Sequence, residues 1–182
     1  VNADDSFGQE CLQYLAKKIG DADITVWAYA KKSENLLSLP CFAKQSFRKV
    51  LATDLQMSDQ GMKFQLIVDG EDAGLMQTRM VGAFNVSNAL AVFACLLAGG
   101  KTIKNAKNSI EALQAVQGRM ELVSRATAQQ PMAVIDFAHT PDALEQVLKT
   151  LRDIAEQRAG QLWRVFGCGG DRDRGKRPKM GR

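Results

Sequence analysis

The chain has 182 residues, 46% hydrophobic and 24% charged, which is the balance of a globular protein rather than a disordered one. Its longest apolar run, residues 89–98, is too short to cross a bilayer, and no basic leader followed by an apolar stretch opens the sequence. The four cysteines lie far apart and there is a single histidine, which excludes a multi-histidine metal site and argues against disulfide scaffolds and zinc fingers. We therefore expect a reducing cytoplasm.

The charge is concentrated near one end of the chain. The net charge is +4, but residues 164–182 alone carry +5, so residues 1–163 carry −1. A basic end suits either nucleic acid or a pocket for an anionic small molecule. Because the chain starts at Val1 without a methionine and stops inside an unfinished pattern, we expect it to be a piece of a longer protein.

The first elements predicted are a helix and a short strand. Apolar residues recur at helical spacing over residues 11–19, and Asp5 or Ser6 is placed to cap this helix, which Gly20 ends. Residues 24–29 form a run rich in β-favouring side chains, which predicts a strand.

The next part of the chain predicts a small antiparallel sheet. Its three strands are expected at residues 50–55, 62–68 and 74–80. Turn-forming residues separate them at 58–61 and at 69–72, as in β-hairpins.

The second half alternates between helices and strands. Helices are predicted at 87–97, 103–115 and 141–158, and strands at 120–125, 132–136 and 162–166. The alternation from residue 132 onward predicts a parallel α/β layer. The stretch 158–161 is the predicted domain boundary.

A glycine-rich segment after the last predicted strand resembles two nucleotide motifs and fits neither. Arg172 occupies the third glycine position of the dinucleotide fingerprint, which argues against a nicotinamide oxidoreductase. Residues 170–176 match a Gly-x4-Gly-Lys loop, but Arg177 stands where a hydroxyl must hold magnesium, and two aspartates would repel phosphates. Two interpretations of this segment remain. It is either a site at a sheet edge that binds a carboxylate or a phosphate, or a solvated basic loop.

Polar residues at two predicted junctions are further candidates. Asn85 and Asn88 are three residues apart, so their amides can share a helix face and either cap the helix or contact a heterocycle. Asp136 and His139 follow a predicted strand, where a carboxylate commonly binds ribose or a metal and a lone histidine is more often structural. Arg119 could lie in a plain turn.

Five segments in order resemble those of the Mur ligases, and most closely the members that add 2,6-diaminopimelate. Each is weak alone, but together they reach almost from end to end of the chain. At the position that is usually tyrosine before Ala-His-Thr-Pro, this chain has Phe137. The segments are residues 2–5, 80–88, 118–121, 136–142 and 165–178.

The resemblance implies an α/β fold in two parts. Residues 1–160 would be the second half of the central ATP-binding domain, a parallel sheet with helices plus a small antiparallel sheet. Residues 161–182 would begin a Rossmann-like C-terminal domain that binds the amino acid. The implied reaction is ATP-dependent addition of meso-diaminopimelate to UDP-MurNAc-L-Ala-D-Glu through an acyl phosphate, in peptidoglycan precursor synthesis. A lysine-adding ligase of the family, or a non-catalytic nucleotide-binding α/β module, stays open.

The resemblance also implies roles for the candidate residues. Asn85, Asn88 and His139 would face the adenine, and Asp136 would face the ribose. Arg119 would act as a catalytic residue at the phosphates.

For Arg172 the resemblance implies contact with the carboxylate of diaminopimelate, which agrees with a guanidinium fork on a sheet-edge loop. ATP and Mg²⁺ are the implied cofactors. The family's Gly-x-x-Gly-Lys-Thr loop and carbamylated lysine are missing, so we expect most metal ligands to lie outside this chain and residues 1–182 alone to be inactive. We expect a monomer in the bacterial cytoplasm, with neither membrane nor nucleic acid as partner, since no aromatic interleaves the basic residues of 171–182.

Overall fold

The structure, a computed structural model, describes residues 1–19, 24–37, 46–58, 60–124, 130–167 and 175–181. The chain forms two compact units, residues 1–114 and 115–182. The first contains α1 (Ser6–Lys18), β1 (Val26–Ala30), α2 (Ser33–Leu37), β2 (Phe47–Ser58), β3 (Gly61–Val68), β4 (Glu71–Thr78), α3 (Ala83–Ala98) and α4 (Ile103–Glu111). The second contains β5 (Glu121–Ser124), β6 (Ala133–Ile135), α5 (Pro141–Gln157) and α6 (Lys176–Met180).

A four-stranded mixed sheet of order β1-β2-β3-β4 organises the first unit. β1 and β2 are parallel, whereas β2, β3 and β4 are successively antiparallel. The three predicted antiparallel strands are confirmed, and they continue the sheet that β1 starts. Residue Asn2 bridges Tyr29 in parallel, so the segment before α1 lies beside β1.

Successive side chains of β1 pack alternately into two hydrophobic clusters. Ala28 and its neighbours two residues away are buried in a cluster with Leu12 of α1. Trp27 and Tyr29 point the other way, toward the cluster that contains Phe93 of α3. This period of two is what a strand imposes on a sheet covered on both faces. Burying a side chain as large as Phe93 stabilises the fold by roughly 1.5–3 kcal/mol.

The ends of two helices differ from the prediction. α3 begins at Ala83 rather than at residue 87, so Asn85 lies inside its first turn. α4 ends at Glu111 rather than near residue 115. Leu113 beyond it is 38% exposed, so little apolar burial would reward a further turn. The expected cap of α1 is confirmed, because Asp5 accepts a hydrogen bond from the N–H of Gly8 at 2.7 Å.

The second unit contains a two-stranded antiparallel sheet of β5 and β6 and the helix α5. α5 is confirmed over Pro141–Gln157, and Thr140 caps it. The parallel layer predicted from residue 132 onward is wrong for the described residues, because the strand found there, β6, pairs antiparallel with β5. The mixed α/β class itself is confirmed.

The strand predicted at residues 162–166 is also wrong. Residues 161–167 form neither helix nor strand, and Trp163 is 84% exposed. A strand needs hydrogen-bonded neighbours for its backbone groups, and no strand in the described ranges pairs with this segment. The domain boundary predicted at 158–161 stays a prediction. In the part of the chain that the structure describes, none of the helices combines the length and apolar character needed to span a membrane.

Candidate functional site

Two asparagine side chains form a hydrogen-bonded pair at the start of α3. Nδ2 of Asn85 donates to the carbonyl oxygen of Val81 at 2.7 Å, and Nδ2 of Asn88 donates to Oδ1 of Asn85 at 3.1 Å. The N-cap is Gly82, and no side chain caps the helix. The capping interpretation of the two amides is therefore wrong, and their predicted position on one helix face is confirmed.

The pair leaves hydrogen-bonding capacity at the surface. Asn88 is exposed and Asn85 is partly buried. Oδ1 of Asn88 accepts no bond from the residues that the structure describes, and an amide presents both a donor and an acceptor in one plane. This arrangement is able to contact the edge of a planar heterocycle.

The carboxyl end of β1 is tied to the same helix start. The backbone N–H of Lys31 donates to Oδ2 of Asp4 at 2.8 Å, and its ammonium Nζ donates to the carbonyl oxygen of Ala83 at 3.2 Å. Gly82 allows the tight turn into α3. Its φ is 106°, and a Cβ added there would lie only 2.9 Å from the Phe84 ring, so glycine suits this position. Sequence reasoning noted the segment of Asp4 but missed Lys31, for which the local pattern carries no signal.

In the second unit, Arg119 is exposed between two buried residues, Gly118 and Met120, in the turn before β5. Asp136 follows β6, and its Oδ2 accepts a hydrogen bond from the N–H of Met120 at 2.8 Å. Its Oδ1 accepts from the N–H of Ala138 at 2.7 Å. The structure therefore brings Asp136 to the turn of Arg119.

His139 lies just before α5 and is exposed. Its Nδ1 is 3.0 Å from the carbonyl oxygen of Phe137. A carbonyl only accepts, so this contact is a hydrogen bond in the tautomer whose Nδ1 carries the hydrogen, and Nε2 of that tautomer can accept a bond from a ligand.

The remaining candidates lie elsewhere. Arg172 falls outside the described residues. Asn85 and Asn88 belong to the first compact unit, whereas Arg119, Asp136 and His139 belong to the second. Within the ranges that the structure covers, no group of three or more His, Cys, Asp or Glu side chains is placed to hold a metal ion.

Two family models match the chain. Residues 1–96 match the Mur ligase middle domain, and residues 118–182 match the Mur ligase glutamate ligase domain. Curated relatives include the UDP-N-acetylmuramoyl-L-alanyl-D-glutamate–2,6-diaminopimelate ligase of Janthinobacterium sp. (strain Marseille), 44% identical over 184 residues that cover 100% of this chain and 33% of the relative. The ligase of that name from Ralstonia nicotianae is 48% identical over 131 residues, 71% of this chain and 25% of the relative. The chain thus spans about a third of the length of the relatives that match all of it.

Solved structures agree with these matches. A solved structure of a UDP-N-acetylmuramoyl-L-alanyl-D-glutamate–2,6-diaminopimelate ligase is 30% identical, with a TM-score of 0.54 over 85% of this chain and 34% of that one. The UDP-N-acetylmuramate–alanine ligase of Thermotoga maritima, at 17% identity, shares the fold with a TM-score of 0.55 over 81% of this chain and 34% of its own. Two domain models of one family match successive parts of the chain, and the fold agrees with them. The chain therefore belongs to the Mur ligase family.

Proposed function

We propose that a full-length protein carrying this chain joins meso-diaminopimelate to UDP-MurNAc-L-Ala-D-Glu at the expense of ATP. The observation that carries the proposal is the 44% identity, over the whole chain, to a ligase named for that amino acid and that nucleotide-linked substrate. Such an enzyme would serve peptidoglycan precursor synthesis in the bacterial cytoplasm.

The proposed reaction passes through an acyl phosphate. ATP supplies the phosphoryl group that activates the substrate carboxylate, and Mg²⁺ neutralises charge on the phosphates. The amine of diaminopimelate then attacks the acyl carbon, and inorganic phosphate leaves as the amide forms. Arg119 supports this assignment, because an exposed guanidinium on a turn held by backbone hydrogen bonds suits an anionic phosphate.

The nucleotide-binding residues are assigned one by one. We assign Asn85 and Asn88 to the adenine, since their linked amides leave an exposed acceptor beside a donor. The family resemblance assigns His139 to the adenine as well, where Nε2 would accept a hydrogen bond. Asp136 would bind the ribose: each of its oxygens already accepts one N–H, and each keeps a further acceptor site for a hydroxyl.

The residues assigned so far concern the nucleotide rather than the metal. Because the family's phosphate loop and carbamylated lysine are missing from this sequence, we assign most Mg²⁺ ligands to residues outside this chain. Arg172 is assigned to a carboxylate of diaminopimelate on the sequence alone.

The test uses the purified full-length protein with Mg-ATP, UDP-MurNAc-L-Ala-D-Glu and either meso-diaminopimelate or L-lysine, with the tripeptide product measured by mass spectrometry. We expect product with meso-diaminopimelate and little with L-lysine. A preference for L-lysine would support the lysine-adding alternative. ATP binding without ligation of either amino acid would support a non-catalytic nucleotide-binding module.

Three further expectations have their own tests. Residues 1–182 alone should release no phosphate from Mg-ATP above a buffer control. Light scattering should give the mass of a monomer. A salt titration against duplex DNA should show no salt-sensitive binding.

A further inference from the structure

Two carboxylates hold the backbone on either side of Arg119. Oε2 of Glu121 accepts a hydrogen bond from the N–H of Gly118 at 2.7 Å, and Oδ2 of Asp136 accepts from the N–H of Met120 at 2.8 Å. Hydrogen bonds to ionised acceptors are shorter and stronger than neutral ones. We call Glu121 and Asp136 the carboxylate clamp.

The turn that the clamp holds has an unusual backbone conformation. Gly118 has φ of 68° and Met120 has φ of 47°, a region that side-chain-bearing residues seldom adopt. Met120 is nonetheless 1% exposed, so its surroundings hold it there. Such a conformation persists where several interactions fix it together.

A third contact closes the turn from the side of β6. The N–H of Phe137 donates to the carbonyl oxygen of Gly118 at 2.8 Å. The Phe137 ring covers Gly118 so closely that an ideal Cβ there would lie 2.4 Å from a ring carbon. The backbone of residues 118–120 is thereby bound at Gly118 N, Gly118 O and Met120 N, while the Arg119 side chain stays exposed.

We propose that the carboxylate clamp positions Arg119 for catalysis. Charged groups stabilise a transition state best when they are already oriented, because no reorganisation is then needed during the reaction. Glu121 is the new assignment; Asp136 would add this role to its proposed ribose contact. The inference rests on the proposed function, in which Arg119 contacts the phosphates.

The first test is a double-mutant cycle in the full-length protein. Glu121→Ala should lower kcat on the order of tenfold, the effect of losing one charged hydrogen bond, and Glu121→Gln, which keeps an acceptor oxygen, should recover most of it. In an Arg119→Ala background, Glu121→Ala should cost no further activity, because the guanidinium that the clamp positions is already absent. Additive losses in the two backgrounds would overturn the positioning role.

The second test does not depend on activity. Trypsin cleaves after arginine, and the clamp should make the bond after Arg119 resistant although the side chain is exposed. Glu121→Ala should accelerate this cut, measured by mass spectrometry of the fragment that ends at Arg119. Glu156→Ala, which removes an exposed carboxylate from α5, is the matched control and should leave the cut unchanged.

The two tests separate the possible failures. An unchanged cut in a folded Glu121→Ala protein would overturn the clamp itself. A faster cut combined with wild-type activity of Arg119→Ala would overturn the proposed role of Arg119 at the phosphates. A faster cut with a large Arg119→Ala defect, but full activity of Glu121→Ala, would overturn the positioning inference alone.

Discussion

Nδ2 of Asn88 donates to Oδ1 of Asn85 at 3.1 Å, across one turn of α3. Asn85 is itself anchored, because its Nδ2 donates to the carbonyl oxygen of Val81 at 2.7 Å. The two bonds form a short relay that orients both amides from the residues that precede the helix. Asn88 ends the relay at the surface, so it can be tested for ligand binding with little disturbance of the fold.

We expect Asn88→Ala to weaken ATP binding more than catalysis. One lost amide hydrogen bond costs about 0.5–1.5 kcal/mol, which raises the KM for ATP by up to about tenfold. kcat and the melting temperature should change little, because Asn88 is exposed and caps no N–H group of α3. Steady-state kinetics of the full-length protein with ATP as the varied substrate measures the effect.

The matched control is Asn108→Ala, which removes an exposed asparagine from α4. It should leave both the KM for ATP and the melting temperature unchanged. An Asn88→Ala protein with normal ATP affinity and a lowered melting temperature would instead show that the amide relay is structural.

The sequence predicts the first unit well, because its strands follow local rules. In β3 the buried residues Met62, Phe64, Leu66 and Val68 alternate with less buried ones, and the Asp69-Gly70 turn joins β3 to β4. The run Leu162–Phe166 has equally strong β propensity and still forms no strand. Propensity alone does not provide the neighbouring strand whose N–H and C=O groups must pair with it.

Part of the candidate site can likewise be predicted from residues that are close in the sequence. Asn85 and Asn88 are predictable as a pair from their spacing of three residues. The bond from Met120 to Asp136 joins residues 16 positions apart, so no local pattern reveals it. The positive φ of Met120 is equally hidden, since glycine is the residue that normally signals that conformation.

Gly118→Ala should destabilise the full-length protein by about 1–3 kcal/mol, because the new methyl group would meet the Phe137 ring while φ stays positive. The shift of the unfolding midpoint in urea measures the change. Gly160→Ala is the control: φ there is not positive, and the added Cβ would be 3.7 Å from the carbonyl oxygen of Ala155, an ordinary contact. Equal shifts in the two variants would contradict the close approach at Gly118.

Asp72 should make the stability of the β3–β4 hairpin depend on pH. The N–H of Gly74, which donates to Oδ1 at 2.7 Å, and then the Gln65 amide hold the pKa of Asp72 below its ordinary value. A lowered pKa in the folded state means that the contribution is present above the ordinary aspartate pKa of about 3.9 and is lost as the pH falls through the folded value.

Asp72→Asn removes the titration at this position. The difference in melting temperature between wild type and Asp72→Asn should therefore shrink as the pH is lowered from about 6 to about 3. Because Asp72 is fully exposed, the difference should be small and should fall further at high salt. A difference that grows on acidification would have the wrong sign for this assignment.

Arg172→Lys should selectively impair the use of meso-diaminopimelate. Arg172 lies outside the described residues, in a glycine-rich segment of the sequence. A guanidinium binds a carboxylate through two parallel hydrogen bonds, a geometry that an ammonium group does not reproduce. Since charged hydrogen bonds contribute about 1.5–3 kcal/mol, kcat/KM for diaminopimelate should fall on the order of tenfold or more, with the KM for ATP nearly unchanged.

The control is Arg174→Lys, which makes the same change two residues away and should be tolerated. Equal losses in the two variants, or an effect confined to ATP, would mean that the loop acts as a general basic surface rather than as a carboxylate site.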